Sequence, residues 1–571
     1  MDEKLSSNRM TGLTRRDALR RISGATGLAA LAGCQTPGSA ASGSASQDAK
    51  FGWGVASGDP TRTSVVIWTR AVPLQGSAAM EVAYQVSDTP GFERVLQSGT
   101  ARTSAQRDYT VKVDVQGLKP GQVYYYRFRA GKTHSTIGRM KTLPADNTHP
   151  VNLALASCAN YPSGFYNAYR EISRIENLDA VIHVGDYIYE HAAGEYDGAV
   201  GEHIGRVHLP ANEIVTLQDY RTRLAQYRED EDLQAAHAHA PFITVWDDHE
   251  TANNSWQQGA SGHDPETEGA WRARRDAALQ AYFEWLPMRD PQPDAPRERL
   301  NRVYDFGSIA SVIVIETRLT GRDQQVSYDD MTLKADGTPD VAAFERDILN
   351  DSSRSMMGKP QEAWFADALK TSRQRGMQWQ VIANQTVMAG MRTPDFKTIL
   401  PKEIVEPAMQ RGGYVAGWLE RSSLGLPAGL DSWDGYPAAR KRFYDAALQA
   451  EANLVVLSGD SHMFWANELH YPEDGRPVGL EFATGSITSP GGYGYINDTA
   501  EYYDTVEAAV VAKNEDVKYA NVRDHGFVHL ILDEDTVRAR YMKVSTIVDR
   551  EYEASCFLDV TAAPKGPLTK A

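Results

Sequence analysis

The sequence predicts a chain with two folded parts, an all-β sandwich followed by an α/β domain with a mainly parallel sheet flanked by helices. Short alternating runs rich in β-branched residues predict the sandwich over residues 51–145. Longer apolar runs that alternate with helical patterns predict the α/β domain over residues 150–560, followed by a tail over 561–571. Acidic residues and histidines directly after several of the predicted strands indicate a binding site in the second part.

The first 34 residues are expected to be a targeting segment. Arg15 and Arg16 begin a twin-arginine pattern, and the apolar run that follows is too short to span a bilayer permanently. That run ends at Cys34 in a sequence resembling a bacterial lipobox, in which Cys34 carries the lipid. Cleavage near residues 40–45, without a lipid, is the alternative. We expect export by the twin-arginine machinery to the periplasm or cell surface, with lipid anchoring in a membrane.

Composition narrows the function classes. The chain has 59 Lys+Arg against 75 Asp+Glu, a net charge of −16, which argues against a stable nucleic-acid partner. Three cysteines in 571 residues are too few for a disulfide framework. Residues 35–50 are small and polar and are predicted to form a flexible tether.

The sandwich prediction depends on four short stretches. Each combines alternation with β-branched or aromatic residues, and the last is a Pro-Gly turn feeding an aromatic strand that resembles a strand of fibronectin-type domains. The stretches are residues 64–70, 80–86, 109–115 and 118–128. A length of about 90 residues agrees with a seven-strand sandwich. We expect a scaffold or a lid, with no chemistry of its own.

The α/β prediction depends on six apolar runs of buried-strand length separated by helical patterns. The predicted strands are residues 151–156, 180–184, 242–246, 309–315, 378–383 and 454–457. The predicted helices are residues 166–175, 217–236, 271–285, 361–373 and 438–450.

The residues that follow these strands indicate the site. Ligands bind outside the carboxyl ends of the strands in open α/β sheets, and four of the six ends carry metal-ligand side chains. A single Asp after a strand is usually a cap or turn residue, but four such ends together indicate a metal site. The six segments are residues 157–160, 185–190, 247–250, 316–318, 384–385 and 459–462.

These segments also carry a family resemblance. Gly185-Asp186-x-x-Tyr189, Asp248-His249-Glu250 and Gly459-Asp460-x-His462 resemble the motifs of binuclear metallophosphoesterases, the group that contains purple acid phosphatases. Three further segments resemble the PhoD-type alkaline phosphatase and phosphodiesterase family, and the resemblance extends from the leader to about residue 560. They are residues 157–160, residues 246–254 and residues 357–364. Glu316 stands where that family more often has Asp, so its role is open.

The resemblance implies two metal ions. Asp186 occupies the bridging position, and Tyr189, Cys158 and His462 are implied ligands of Fe³⁺, which suits phenolate and thiolate donors. Hard carboxylates at Asp248 and Asp460 suit Ca²⁺. Zn²⁺ or Mn²⁺ is less favoured. Asp247 is the alternative to Asp248, which we prefer because it directly precedes His249.

Three residues are predicted to act on the substrate. His249 is expected to contact the phosphate or protonate the leaving group. Arg318 is expected to bind a phosphoryl oxygen, although pairing within the protein is an equal alternative. Asn160, like Asn253 and Asn254, is expected to bind phosphate or to support the ligands.

The expected activity is metal-dependent hydrolysis of phosphate mono- and diesters by an exported enzyme that scavenges phosphate. A cation would hold the ester oxygens and generate hydroxide near neutral pH. Two alternatives remain open: a phospholipase D-like phosphodiesterase that acts on lipid head groups, and a non-catalytic binding protein with a degenerate enzyme domain.

Overall fold

The computed structural model describes residues 47–76, 79–146 and 149–571. The predicted targeting segment and most of the predicted tether lie outside these residues. The end of the tether is a strand instead, because Ala49–Lys50 pairs antiparallel with Val72–Pro73. The Ala49 side chain is buried in the sandwich core, and its amide donates a hydrogen bond to Thr133 Oγ1 at 3.1 Å.

The N-terminal part is built from strands, as predicted. A five-stranded antiparallel sheet of β5, β6, β8, β9 and β10 faces β2, β3 and β7, and apolar side chains such as Ile67, Val82 and Tyr126 fill the space between them. The strands are β1 (Ala49–Lys50), β2 (Val55–Gly58), β3 (Val65–Arg70), β4 (Val72–Pro73), β5 (Ala79–Ser87), β6 (Val95–Ser104), β7 (Thr110–Val115), β8 (Val123–Ala130), β9 (Thr133–His134) and β10 (Gly138–Lys141).

The C-terminal part contains the remaining strands in two large sheets. They are β11 (Val151–Ala156), β12 (Ala180–His183), β13 (Phe242–Thr244), β14 (Ser255–Trp256), β15 (Gly259–Ala260), β16 (Arg302–Phe306), β17 (Ala310–Val314), β18 (Trp379–Ala383), β19 (Leu454–Ser458), β20 (Phe464–His470), β21 (Pro477–Ala483), β22 (Val517–Asn521), β23 (His525–Leu532), β24 (Val537–Val544), β25 (Ala554–Ala562) and β26 (Thr569–Lys570). The predicted tail therefore extends β25 and adds β26, which pairs with it.

One sheet is shared by both parts of the chain. Its ten strands run in the order β26-β25-β24-β23-β11-β12-β13-β2-β3-β7. β2 joins the sheet by parallel pairing of Gly58 with Phe242 of β13. All four residues of β2 are buried, because the sandwich core lies on one face and the α/β core on the other. The sandwich is thus continuous with the α/β domain.

The second sheet has seven strands in the order β16-β17-β18-β19-β21-β20-β22, of which β17, β18, β19 and β21 are parallel. Alternate side chains divide between two cores, as expected for strands that are covered on both faces. Val312 and Val381 pack between the two sheets, whereas Ile313 and Ile382 pack against outer helices. The mainly parallel core is confirmed, but it is split between two sheets.

The helices cover the outer faces of the sheets. They are α1 (Asn167–Ile172), α2 (Gly198–Ile204), α3 (Leu217–Tyr227), α4 (Glu231–His239), α5 (Trp271–Trp285), α6 (Val341–Phe344), α7 (Lys359–Gln374), α8 (Phe396–Ile399), α9 (Lys402–Arg411), α10 (Gly413–Ser422), α11 (Pro437–Gln449) and α12 (Ala500–Lys513). The single helix predicted over 217–236 is two, because the Asp230 carboxylate accepts hydrogen bonds from the amides of Asp232 and Leu233 and starts α4. Within the described ranges, no helix has the length and apolarity to cross a bilayer.

Candidate metal centre

The structure brings the predicted ligands together where β11, β12, β13 and β19 end. Ligand atoms of Cys158, Asp186 and His462 lie within 4.8 Å of one another. A second group, formed by Asp247, Asp248 and Asp460, meets the same limit. Both groups come from loops that are far apart in sequence, so the parallel sheet order, rather than local sequence, creates the site.

Four of these residues have left-handed backbone conformations. The φ angles are 59° for Cys158, 54° for Asp186, 59° for Asp460 and 59° for His462. Non-glycine residues adopt this conformation at a cost, and such residues concentrate at functional sites. Backbone hydrogen bonds between the loops maintain it, including Cys158 N to the Gly185 carbonyl at 3.1 Å.

Glycines allow these loops to approach closely. A Cβ atom at Gly459 would lie 2.2 Å from Ser157 Oγ, and one at Gly185 would lie 2.4 Å from the Asp247 Cβ. Gly185 also has a φ of 112°, which disfavours any side chain. The glycine that precedes each of Asp186 and Asp460 is therefore a packing requirement of the site.

Tyr189 and His462 converge on Asp186. The Tyr189 hydroxyl donates a hydrogen bond to Asp186 Oδ2 at 3.0 Å and lies 3.2 Å from His462 Nε2. His462 Nδ1 lies 2.8 Å from the Pro490 carbonyl, an arrangement that leaves Nε2 as the metal-facing nitrogen. Burial lowers the pKa of His462 to about 4, so the imidazole is neutral and suited to binding a cation.

Cys158 and Tyr189 need a nearby positive charge to ionise. Burial, reinforced by the Asp186 carboxylate, raises the pKa of the Cys158 thiol and of the Tyr189 phenol well above their usual values. Both side chains are buried. A cation between them and Asp186 would favour the thiolate and the phenolate, which are the ligand forms.

The second group surrounds Arg318. Its guanidinium is fully buried and pairs with Asp247, with Asp431 at 2.6 Å and with Asp460 at 3.1 Å. Asp248 lies slightly farther away, at 3.6 Å. Arg318 therefore compensates carboxylate charge within the protein in this structure. Its predicted contact with a phosphoryl oxygen stays a prediction.

Buried oxygen atoms without hydrogen-bond partners indicate whether these residues could hold cations. Asp186 Oδ1, Asp247 Oδ2 and Asn160 Oδ1 are buried and have no hydrogen-bond partner among the described residues. Burial and neighbouring carboxylates raise the pKa values of Asp186 and Asp247 well above the usual range, despite opposing contributions from His249 and Arg318. Cations bound to these oxygens would offset both penalties, so the residues fit a metal centre.

Asn160, in the same loop as Cys158, has a buried side-chain carbonyl oxygen without a hydrogen-bond partner among the described residues. Its Nδ2 donates hydrogen bonds to Ser163 Oγ at 2.7 Å and to the Tyr196 carbonyl at 3.2 Å. Both amide hydrogens are thus used, and the remaining Oδ1 is an acceptor. This arrangement suits a supporting role toward a cation or water better than donation to phosphate, and neither role is tested.

Glu250 and Glu316 organise the backbone of the loops. The Glu250 carboxylate accepts hydrogen bonds from the amides of Asp186 at 3.1 Å and Asp247 at 2.7 Å, and from the Tyr187 amide. Glu316 accepts hydrogen bonds from the Arg318 amide at 2.8 Å and from Trp246 Nε1 at 2.9 Å. Glu316, whose role was open, is therefore a structural residue that fixes the loop carrying Arg318.

His249 lies beside the ligands. One ring nitrogen lies within 4.8 Å of carboxylate oxygens of Asp186 and Asp248, and Nδ1 lies 2.6 Å from Glu190 Oε2. Burial lowers the pKa of His249, but the negative charges of Glu190, Asp248 and Asp186 outweigh it and raise the pKa well above its usual value. These charges favour the protonated imidazole, which is the form that can donate a proton.

Sequence reasoning missed Glu190 and Asp431. Glu190 lies inside the segment 185–190, which the sequence predicts to be part of the site, but its pairing with His249 is visible only in three dimensions. Asp431 lies in the loop before α11, far from any predicted strand end. Burial raises its pKa, but Arg318 and Arg322 outweigh this effect and hold the pKa at about 2.

Comparison with known proteins adds three findings. Residues 153–541 match the model of the PhoD-like phosphatase family, and residues 37–144 match the model of the PhoD-like phosphatase N-terminal domain. Alkaline phosphatase D of Bacillus subtilis (strain 168) is 37% identical over 455 residues, covering 77% of this chain and 70% of that protein. A solved structure described as the structure of PhoD matches with a TM-score of 0.75 and 32% identity, covering 92% of each chain.

Proposed function

The chain belongs to the PhoD-like phosphatase family, and on that basis we propose that it hydrolyses both monoesters and diesters of phosphate outside the cytoplasm. Membership makes it a phosphoric ester hydrolase of the alkaline phosphatase type. The breadth toward esters, the export and a role in phosphate scavenging are the parts that we propose.

One observation carries the proposal. Ligand atoms from four strand ends include two groups of three, Cys158/Asp186/His462 and Asp247/Asp248/Asp460, each within 4.8 Å. One buried oxygen each of Asp186 and Asp247 has no hydrogen-bond partner in the part of the chain that the structure describes. Cations bound there would withdraw charge from the ester and make water a nucleophile near neutral pH.

The protein's own residues then have separate tasks. His249 is paired with Glu190, whose charge favours the protonated imidazole, and in that form it would give a proton to the departing ester oxygen. The backbone N–H of Asn254 donates a hydrogen bond to Asp248 Oδ2 at 2.6 Å and fixes that carboxylate. Arg318 compensates the charge of the carboxylates, so the centre keeps its shape during turnover.

The two groups differ in donor type, and we propose Fe³⁺ and Ca²⁺ for them. Cys158, Tyr189 and His462 with Asp186 provide sulfur, phenol and imidazole donors, which suit iron. Asp248 and Asp460 with Asp247 provide only carboxylate oxygens, which suit calcium. Zn²⁺ or Mn²⁺ stays the less favoured alternative: Zn²⁺ suits nitrogen and sulfur donors, which the second group lacks, whereas its carboxylates would also accept Mn²⁺.

Tolerance of diesters follows from charge. A monoester dianion usually needs additional basic side chains, but the guanidinium nearest the ligands, Arg318, is already paired with carboxylates. Cations would then supply most of the attraction, which suits a singly charged diester. The proposed export and lipid anchoring rest on the leader sequence, with Cys34 as the acylated residue.

Steady-state kinetics on an aryl monoester and the matching aryl diester test the proposal, at alkaline pH with calcium present. We expect kcat/KM values within about tenfold, equivalent to about 1.4 kcal/mol in barrier height. A monoester preference above about a thousandfold, about 4 kcal/mol, would contradict the proposed breadth and indicate a dedicated dianion site.

A further inference from the structure

An apolar cavity of about 330 Å³ adjoins the metal centre. Asp460 and His462 form part of its wall, so the cavity and the centre are continuous. Its other walls come mainly from three loops, one between β18 and α8, one between α10 and α11 and one before α12, and α10 adds Val415 and Trp418. The wall is predominantly aromatic and aliphatic. It includes Met391, Val415, Trp418, Tyr493, Tyr495 and Ile496.

The aromatic wall has a fixed arrangement. The Trp418 ring stacks on Phe396 at 5.0 Å between centroids and contacts the edge of Tyr493 at 5.3 Å. Trp465 Nε1 donates a hydrogen bond to Ser461 Oγ at 3.0 Å, so its polar atom is satisfied within the wall. These contacts leave flat apolar surfaces beside the site at which phosphate is proposed to react.

The charged groups in the wall are already paired. Arg392, the one Arg or Lys among the described lining residues, contacts Glu345 and donates a hydrogen bond to the Gly425 carbonyl at 3.2 Å. Asp434 pairs with Arg440 at 2.7 Å, and Asp431 pairs with Arg318 and Arg322. A second phosphate or another anion would therefore have to compete with Glu345 for Arg392, the one Arg or Lys among the described lining residues.

We propose that this cavity binds an apolar alkyl or aryl group of the phosphate ester while the phosphoryl group lies at the metal centre. The proposal rests on the proposed ester hydrolysis and names the substrate class: esters with an uncharged apolar substituent. Polyanions and sugar phosphates with charged substituents are excluded from the cavity. Tyr495, which is 43% exposed in the wall, extends the apolar surface toward solvent.

Calorimetric titration of the metal-loaded protein with alkylphosphonates from methyl to octyl tests the proposal. Binding of the phosphonate to the centre places the alkyl chain in the cavity. We expect the Kd to fall by about fourfold for each added methylene group until the cavity is filled. A phosphonate of equal length that ends in a carboxylate is expected to bind no more tightly than methylphosphonate.

Two variants test whether the alkyl group of the phosphonate lies in this cavity. Trp418→Ala removes one wall, and Ala428→Phe fills the cavity from an exposed position, which avoids disturbing a core. Both are expected to flatten the dependence of Kd on chain length and to leave methylphosphonate binding within about twofold. Glu420→Ala, at an exposed position two residues from Trp418 on α10, is the matched control and is expected to keep the wild-type dependence.

The outcomes separate this inference from the proposed function. A Kd that does not change with chain length, or a dependence that survives both cavity variants, would overturn the apolar pocket while ester hydrolysis stands. Absence of turnover of aryl mono- and diesters by the same metal-loaded preparation would overturn the proposed function, whatever the phosphonates show.

Discussion

Glu190 Oε2 lies 2.6 Å from Nδ1 of His249, and both side chains are buried. The second oxygen of Glu190 accepts a hydrogen bond from the backbone N–H of Asn253 at 2.6 Å, so the carboxylate is fixed from two sides. This contact determines which ring nitrogen of His249 faces the ligands and favours the protonated imidazole. Glu190 is therefore a positioning residue for the proposed proton donor.

Glu190→Gln is expected to lower kcat by about 10- to 100-fold. The negative charge of Glu190 raises the pKa of His249. The neutral amide removes that contribution, so His249 loses its proton at a lower pH. The alkaline limb of the kcat/KM profile should therefore move to lower pH, which steady-state kinetics across pH would show.

The control for this prediction is Glu202→Gln, the same change at an exposed position in α2. It should leave both kcat and the pH profile unchanged. An unchanged profile in Glu190→Gln, with a loss of kcat alone, would assign Glu190 a purely structural role.

Asp186→Ala is expected to abolish turnover and to reduce metal content together. The Asp186 carboxylate belongs to two groups of possible ligands, one with Cys158 and His462 and another with Asp248 and His249. It also accepts the hydrogen bond of the Tyr189 hydroxyl. Elemental analysis of the purified protein and turnover of an aryl diester measure the two effects. Asp329→Ala, an exposed change, should alter neither. Near-normal turnover in Asp186→Ala would place the reaction elsewhere.

The iron assignment predicts colour. Wild-type protein should show a visible absorption band from phenolate bound to Fe³⁺, and Tyr189→Phe should remove or strongly shift it. Tyr196→Phe is the matched control, because its ring stacks on Tyr189 at 5.6 Å and its hydroxyl lies 3.4 Å from His462 Nδ1, the nitrogen turned toward Pro490 rather than toward the ligands. Absorption spectra combined with iron and calcium analysis decide this point. A colourless, fully active protein that contains only zinc would contradict it.

The lipid anchor predicts a change in location. Cys34→Ser should release the protein from membranes into the soluble periplasmic fraction, and activity per molecule should be unchanged because Cys34 lies outside the catalytic region. Fractionation with an activity assay measures both. Membrane association that persists in this variant would mean that anchoring does not depend on Cys34.

Sequence reasoning located the candidate ligands because a parallel sheet imposes a simple rule, and their binding of metal stays a prediction. Cys158, Asp186 and Asp248 follow β11, β12 and β13, whose parallel pairing brings their carboxyl ends to one edge of the ten-stranded sheet. Asp460 follows β19 of the seven-stranded sheet, so the carboxyl ends of parallel strands from both sheets meet at the site. The rule applies before any detail of packing is known. The preference for Asp248 over Asp247 stays a prediction, because both carboxylates join the same group in the structure.

The features that sequence reasoning missed depend on contacts between distant segments. Asp431 lies at the site in a loop that does not follow any predicted strand. The sheet that contains strands of both the sandwich and the α/β domain depends on the single pairing of Gly58 with Phe242. The break between α3 and α4 has a local signal, because Asp230 is a good helix cap. The continuous apolar pattern over residues 217–236 nevertheless led to the prediction of a single helix.

Substitution of Arg318 distinguishes compensation of carboxylate charge within the protein from binding of the phosphoryl group. Its guanidinium lies among Asp247, Asp248, Asp431 and Asp460 with no exposed surface. Removing one member of a buried ion-pair network leaves uncompensated charge and typically costs about 3 to 5 kcal/mol. Arg318→Met should therefore lower the free energy of unfolding by about that amount, and added calcium should restore part of the loss by binding the freed carboxylates.

Chemical denaturation with and without calcium measures this effect, and Arg346→Met provides the control. Arg346 pairs with Asp347 at the surface with 68% of its side chain exposed, so its loss should change stability by less than about 1 kcal/mol. Arg318→Lys keeps the charge but has no planar fork that can contact three carboxylates, so an intermediate loss is expected. If Arg318→Met instead keeps its stability and metal content but raises KM strongly, Arg318 binds the phosphoryl group during turnover, and its pairing with the carboxylates is secondary.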